Sequence, residues 1–136
     1  MTPVAASVIV PVSALDAWAA MTDWVGQSAW MPLTSVALDR GDGGLGSRLS
    51  ARTAVGPAGF VDTMEIDVWQ PPRRCEVTHL GRVVRGRGVF EVEPVDDTSA
   101  RVTWTEQLDG VAARLTAPVG RWALRLALRR FARSLS

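Results

Sequence analysis

Three ionisable side chains, Asp62, His79 and Glu106, are in phase with apolar residues in three alternating segments of the sequence. Successive side chains of a β-strand point to opposite faces, so residues two apart share a face. The apolar residues in phase with the three are Phe60, Met64, Ile66, Val68, Cys75, Val77, Val102 and Trp104. If these apolar residues face an interior, the three ionisable groups face it as well.

Two carboxyl groups and an imidazole in an apolar interior could perform acid–base chemistry. Removal from water makes a carboxylate a stronger base, and a neighbouring imidazole can exchange protons with it. That would suit proton abstraction beside a ketone or dehydration of a hydroxyl group. Simpler explanations remain: His79 could be solvated beside a turn, Asp62 could be exposed or bonded to a backbone amide, and Glu106 could pair with an arginine.

The elements that must position these residues are mostly strands. The sequence predicts a first strand at Val4–Val10, a short helix at Ala14–Met21 capped by Ser13, and a second helical or turn segment from Asp23 to about Trp30. Six further strands are predicted at Ser35–Asp39, Leu45–Val55, Phe60–Trp69, Arg73–Leu80, Val83–Val92 and Ser99–Leu108. The short links between them indicate a sequential antiparallel sheet.

Val111 to Ser136 is the only segment long and periodic enough for a long helix. Its apolar residues cover an arc of about 240°, far wider than the ~100° stripe of a surface helix. We expect Leu115, Val119 and Trp122 to form the wall that faces the sheet. The predicted fold class is α+β: a strongly bent antiparallel sheet of about seven strands wrapped around this helix, with two short helices after the first strand.

Size and composition limit the classes of protein to which the chain can belong. A chain of 136 residues is most simply one domain, residues 1–136. The net charge of +1 gives no electrostatic basis for nucleic-acid binding, and one cysteine excludes an internal disulfide and a cysteine metal cluster. No apolar run approaches the ~20 residues of a membrane span, and no signal peptide is recognisable. We therefore expect a cytoplasmic protein without metal or cofactor.

Three stretches carry a resemblance to a known family: residues 8–11 followed by Ala17-Trp18, residues 67–74, and residues 99–104. With the order of elements, they resemble the helix-grip fold of the START-like superfamily, also called SRPBCC, and most closely its polyketide cyclase/dehydrase and lipid-transport branch. The resemblance implies a cavity between sheet and long helix that relatives use for hydrophobic ligands. It carries no universal set of catalytic residues.

Several residues are predicted to line that cavity. Gly86 and Gly88 are in phase with Phe90, so two inward positions would carry no side chain and would leave volume for a ligand. The predicted ligand-binding residues are Trp30, Phe60, Met64, Ile66, Val77, Gly88, Phe90, Trp104, Leu115, Val119 and Trp122.

Three functions remain open from the sequence. The first is binding, carriage or sensing of a hydrophobic small molecule that is lipid-like or polyketide-like. The second is a cofactor-free cyclase or dehydratase that uses Asp62, His79 or Glu106. The third is protein interaction, in which the wide apolar arc of the helix is buried in a homodimer.

Overall fold

The computed structural model describes residues 3–81, 84–109 and 111–136, without the side chains of residues 55 and 111–118. Its strands are β1 Val4–Val10, β2 Thr34–Arg40, β3 Arg48–Val55, β4 Ala58–Gln70, β5 Arg74–Leu80, β6 Arg85–Asp96 and β7 Ser99–Leu108. Its helices are α1 Ala14–Met21, a short 3₁₀ helix Val25–Ala29, and α2 Val111–Ser134. Arg82, Val83 and Gly110, which fall in predicted turns and at one predicted strand start, lie outside the described residues.

All seven strands form one antiparallel sheet. Their spatial order is β1-β7-β6-β5-β4-β3-β2, so each strand from β2 to β7 pairs with its neighbour in sequence and β1 adds beside β7. The helices α1 and α2 and the 3₁₀ helix cover one face, where Met21, Ile66, Val102 and Leu128 are buried. The predicted α+β architecture is therefore confirmed.

A β-bulge in β4 reverses the orientation of the residues that follow it, Val68 and Trp69. Strict alternation from Ile66 would keep Val68 on the inner face and put Trp69 on the outer one, but the register shifts between Ile66 and Val68, and Trp69 then pairs with the buried Cys75. The inserted residue changes the phase of the strand. Trp69 consequently faces inward and packs against Trp18, with ring centroids 5.2 Å apart.

Helix α2 meets the sheet through a different face from the one predicted. Its buried residues are Leu124, Ala127, Leu128 and Phe131. At 100° per residue these lie opposite Val119 and Trp122, which are 65% and 63% exposed. The prediction that Val119 and Trp122 form the inner wall is therefore wrong. Because the helix is apolar on almost every side, the sequence pattern could not select the face that packs; the side chain of Leu115 lies outside the described part.

Aromatic rings fill the interior between α2 and strands β6 and β7. Trp30 packs against Phe131, with ring centroids 5.0 Å apart, and meets Trp104 edge-on at 6.4 Å. Phe90 lies 5.2 Å from Trp104. Trp30, Phe90 and Phe131 are almost fully buried, so this region is packed with protein atoms.

Two substitutions on α2 test which face packs. Phe131→Ala should lower the free energy of unfolding by about 3–5 kcal/mol, because it leaves a cavity beneath Trp30. Trp122→Ala, on the opposite face, should change it by no more than about 0.5 kcal/mol. Urea unfolding followed by circular dichroism measures both. Equal losses in the two variants would contradict the assignment of faces.

Candidate functional site

Asp62, His79 and Glu106 meet on the inner face of the sheet. The Nδ1 atom of His79 lies 2.9 Å from Oδ1 of Asp62, and its Nε2 atom lies 2.8 Å from Oε2 of Glu106. The side chain of His79 is 4% exposed, whereas those of Asp62 and Glu106 are 14% and 16% exposed. We refer to these three residues as the acidic–histidine cluster. Its imidazole is closed off, and its two carboxylates keep partial access.

The strand register accounts for the contact between Asp62 and His79. His79 on β5 pairs directly with Met64 on β4. Asp62 lies two residues before Met64 and is therefore the diagonal neighbour of His79 on the same face. A diagonal pair of this kind is within reach of polar side chains of moderate length.

Glu106 reaches His79 across an intervening strand because that strand carries glycine. On β6, Gly88 pairs with both Val77 of β5 and Glu106 of β7. A Cβ atom at position 88 would lie 2.9 Å from Oε1 of Glu106 and 3.3 Å from Oε2. The prediction that Gly88 leaves room for a ligand is thus corrected, since the carboxylate of Glu106 occupies that space. The missing side chain lets Glu106 span about two strand spacings of ~4.8 Å each.

Trp104 connects the cluster to the aromatic core. Its Nε1 atom donates a hydrogen bond of 2.9 Å to Oε1 of Glu106, two residues along the same face of β7. Each oxygen of Glu106 therefore has a protein donor, one from Trp104 and one from His79. The sequence pattern predicted Trp104 beside a ligand and did not predict this contact, although a tryptophan two residues before a glutamate on one strand makes it possible.

Geometry fixes the charge of His79. An ionised carboxylate only accepts hydrogen bonds, so contact of both ring nitrogens with carboxylates favours a proton on each nitrogen. Burial alone would lower the pKa of His79, but the hydrogen bonds to Asp62 and Glu106, together with their charges, outweigh it and raise the pKa to about 10. At neutral pH the cluster holds one imidazolium and two carboxylates, and its net charge is −1.

The other predicted ligand-binding residues divide into three groups by burial. The packed core contains Trp30, Ile66, Val77 and Phe90, which are buried. Met64 and Trp104 are partly buried. Phe60 is about half exposed near the β3–β4 turn.

The one cysteine of the chain, Cys75, is buried. Burial raises the pKa of the Cys75 thiol to about 12, so the thiol stays uncharged at neutral pH.

Within the described residues, no group of three histidine, cysteine or acidic side chains is arranged to hold a metal ion. None of the helices there is long and apolar enough to cross a membrane.

The seven-stranded antiparallel sheet with its C-terminal helix defines a helix-grip protein. The sequence profile of the family described as "Polyketide cyclase / dehydrase and lipid transport" matches residues 1–136. The chain belongs to this family. Among curated proteins, no relative matches the chain significantly.

Solved structures share the fold at low sequence identity. TTHA0849 from Thermus thermophilus has a TM-score of 0.81 at 13% identity, with 98% of this chain and 97% of that chain covered. CV1439 from Chromobacterium violaceum has a TM-score of 0.80 at 10% identity, with 99% and 98% covered. The di-domain ARO/CYC BexL of the BE-7585A biosynthetic pathway has a TM-score of 0.69 at 15% identity. The match covers 95% of this chain and 47% of BexL, so this chain spans about half the length of BexL.

The titration of His79 tests the cluster directly, because it is the only histidine in the chain. We expect NMR of the imidazole to give a pKa of about 10 rather than 6.5. Asp62→Asn removes one charged acceptor and should lower the pKa of His79 by about one unit or more. A wild-type titration close to 6.5 would contradict the proposed charge state.

The same contact makes stability depend on pH. The pKa of His79 is higher in the folded chain than in the unfolded one, so its stabilising contribution is complete below about pH 6.5 and decreases as pH rises towards 10. The melting temperature should fall across this window in the wild type and fall less in His79→Gln. Parallel curves for the two proteins would argue against the linkage.

Proposed function

We propose that the protein binds a small, largely apolar molecule on the inner face of the sheet, with a hydrogen-bond donor of the ligand directed at the acidic–histidine cluster. The observation that carries the proposal is the partial access to both carboxylates beside a closed imidazole. Contact with apolar side chains would supply most of the binding affinity, and one or two polar groups would set the orientation of the ligand. Membership in a polyketide cyclase/dehydrase and lipid-transport family supports this.

The charge of the cluster indicates which polar groups a ligand should carry. With His79 protonated, both of its N–H groups already donate to Asp62 and Glu106. A ligand can therefore only donate hydrogen bonds to the carboxylate oxygens, in a cluster whose net charge is −1. Hydroxyl or amine donors would be favoured there, and an anionic group would be repelled.

A matched pair of fluorescent probes tests this selectivity. N-phenylnaphthylamine is neutral and carries one N–H donor, whereas anilinonaphthalene sulfonate adds a negative charge to a similar ring system. We expect the wild type to bind the neutral probe, and Glu106→Gln to increase affinity for the sulfonate about tenfold relative to the neutral probe. Two unit charges ~12 Å apart interact by ~1.4 kcal/mol at an effective dielectric constant of ~20, which corresponds to about a tenfold change in affinity.

Glu65→Gln is the matched control, because Glu65 lies on β4 in an exposed pair with Arg48. It removes the same charge elsewhere and should leave the ratio of the two affinities unchanged. Failure of the neutral probe to bind, or an equal change in both variants, would count against the proposal.

A second candidate function is cofactor-free proton transfer of the cyclase or dehydratase kind. The observation that favours it is the contact of both carboxylates with one imidazole, which couples two bases at a single site. The fold is shared with the aromatase/cyclase BexL. In this function Asp62 would take a proton from the carbon beside a ketone, while His79 would position that carboxylate.

Isotope exchange distinguishes the catalyst from a binding protein. A cyclase-like site should accelerate deuterium uptake from D₂O into α-tetralone, an aryl ketone, at the carbon beside the carbonyl. Asp62→Asn should return the rate to that of buffer, while Glu65→Gln should not change it. Uptake at the buffer rate with the wild type would reject this candidate and leave the binding proposal standing.

A further inference from the structure

Helix α2 has a charge distribution unlike the rest of the chain. Between Val111 and Ser134 it carries six arginines and no acidic residue. The remainder of the chain therefore has nine arginines against fourteen carboxylates. The nearly neutral total conceals one strongly basic element on an otherwise acidic protein.

The arginines of α2 also differ from those of the sheet in their partners. Arg87 on β6 contacts Asp67 and Glu76, and Arg74 on β5 contacts Glu76 and Glu91. By contrast, none of the ion pairs found among the described residues involves α2. Its exposed arginines are Arg121, Arg125, Arg129, Arg130 and Arg133. Their charges are available to an external partner.

An exposed tryptophan lies within this basic surface. Trp122 and Val119 project from the side of α2 opposite its buried face, and each is more than 60% exposed. Trp18, Trp24 and Trp30 are buried. We call Val119, Trp122 and the five exposed arginines the outer face of α2. It joins an apolar stripe to flanking positive charge, the composition of helices that lie in a membrane interface.

A groove runs beside the same arginines. It has a volume of about 460 Å³ and is lined by Ala5, Ala6, Ser7 and Val8 of β1 and by Arg125, Leu128 and Arg129 of α2. Small and apolar side chains form most of its lining, and Arg125 and Arg129 contribute to the wall on α2. Guanidinium groups bind phosphate oxygens in a bidentate manner, so the groove has room and charge for a phosphate headgroup.

We propose that the outer face of α2 docks on an anionic phospholipid surface. Tryptophan favours the level of the headgroups, and each basic residue close to such a surface strengthens attachment. A second copy of this chain fits less well, since a two-fold contact would bring both sets of arginines together. The proposal does not depend on the proposed function, because it uses none of the residues of the acidic–histidine cluster.

Vesicle sedimentation tests the proposal with the 136-residue chain. The wild type should sediment with vesicles of phosphatidylcholine containing about one-third phosphatidylglycerol, and not with phosphatidylcholine alone. Raising the ionic strength from ~0.05 M to ~0.5 M should release it. Binding should also shift the emission of Trp122 to shorter wavelength, a change that Trp122→Phe removes.

Substitutions on and off the face provide the control. Arg125→Ser combined with Arg129→Ser should weaken partitioning about 25-fold, since each basic residue contributes about fivefold. Trp122→Ser should weaken it as well. Arg40→Ser with Arg52→Ser, and Val61→Ser, alter exposed residues of β2, β3 and β4 and should leave partitioning unchanged.

Several results would overturn the proposal. One is the absence of sedimentation with anionic vesicles at low salt; another is equal binding to neutral vesicles. Equal losses in the α2 and control variants would show that the face is not specific. A concentration-dependent dimer that Trp122→Ser dissociates would assign the face to a second copy instead. The probe measurements on the acidic–histidine cluster are unaffected by each of these outcomes.

Discussion

The protonated imidazole of His79, held between the carboxylates of Asp62 and Glu106, is the contact on which the site depends. A buried charge is costly unless it is paired and hydrogen-bonded, and removing one partner from such a group costs about 3–5 kcal/mol. The register of β4 against β5, the glycine at position 88 and the indole of Trp104 all make this arrangement possible. The cluster therefore determines which side chains the surrounding strands can carry.

Much of the fold and the position of the cluster could be predicted from the sequence. Alternation with period two places Asp62, His79 and Glu106 on the inner face, because β4 is regular from Asp62 to Ile66, β5 from Cys75 to His79 and β7 from Val102 to Glu106. Contact between them could not be predicted, since it depends on the pairing of β4, β5, β6 and β7. The sequence pattern also treated Gly88 as empty volume, whereas the carboxylate of Glu106 fills it.

The remaining differences between the predicted and the observed structure arise where the periodicity of apolar residues carries no information. A bulge between Ile66 and Val68 turned Trp69 inward, and nothing in the local sequence marks its position. On α2, apolar residues lie on opposite sides, so the pattern could not decide between Phe131 and Trp122 as the packed aromatic. The sheet packs against the side with Leu124, Leu128 and Phe131. The exposed apolar stripe on the other side is the consequence, and it calls for a functional explanation.

The central claim is that a ligand with a hydrogen-bond donor contacts the acidic–histidine cluster. The most direct measurement is the NMR spectrum of the single imidazole, His79, during titration with N-phenylnaphthylamine. The account predicts that the ring signals of His79 shift with the same saturation curve as the probe fluorescence. Saturable binding that leaves the His79 signals unchanged would show that the ligand sits elsewhere and would contradict the account.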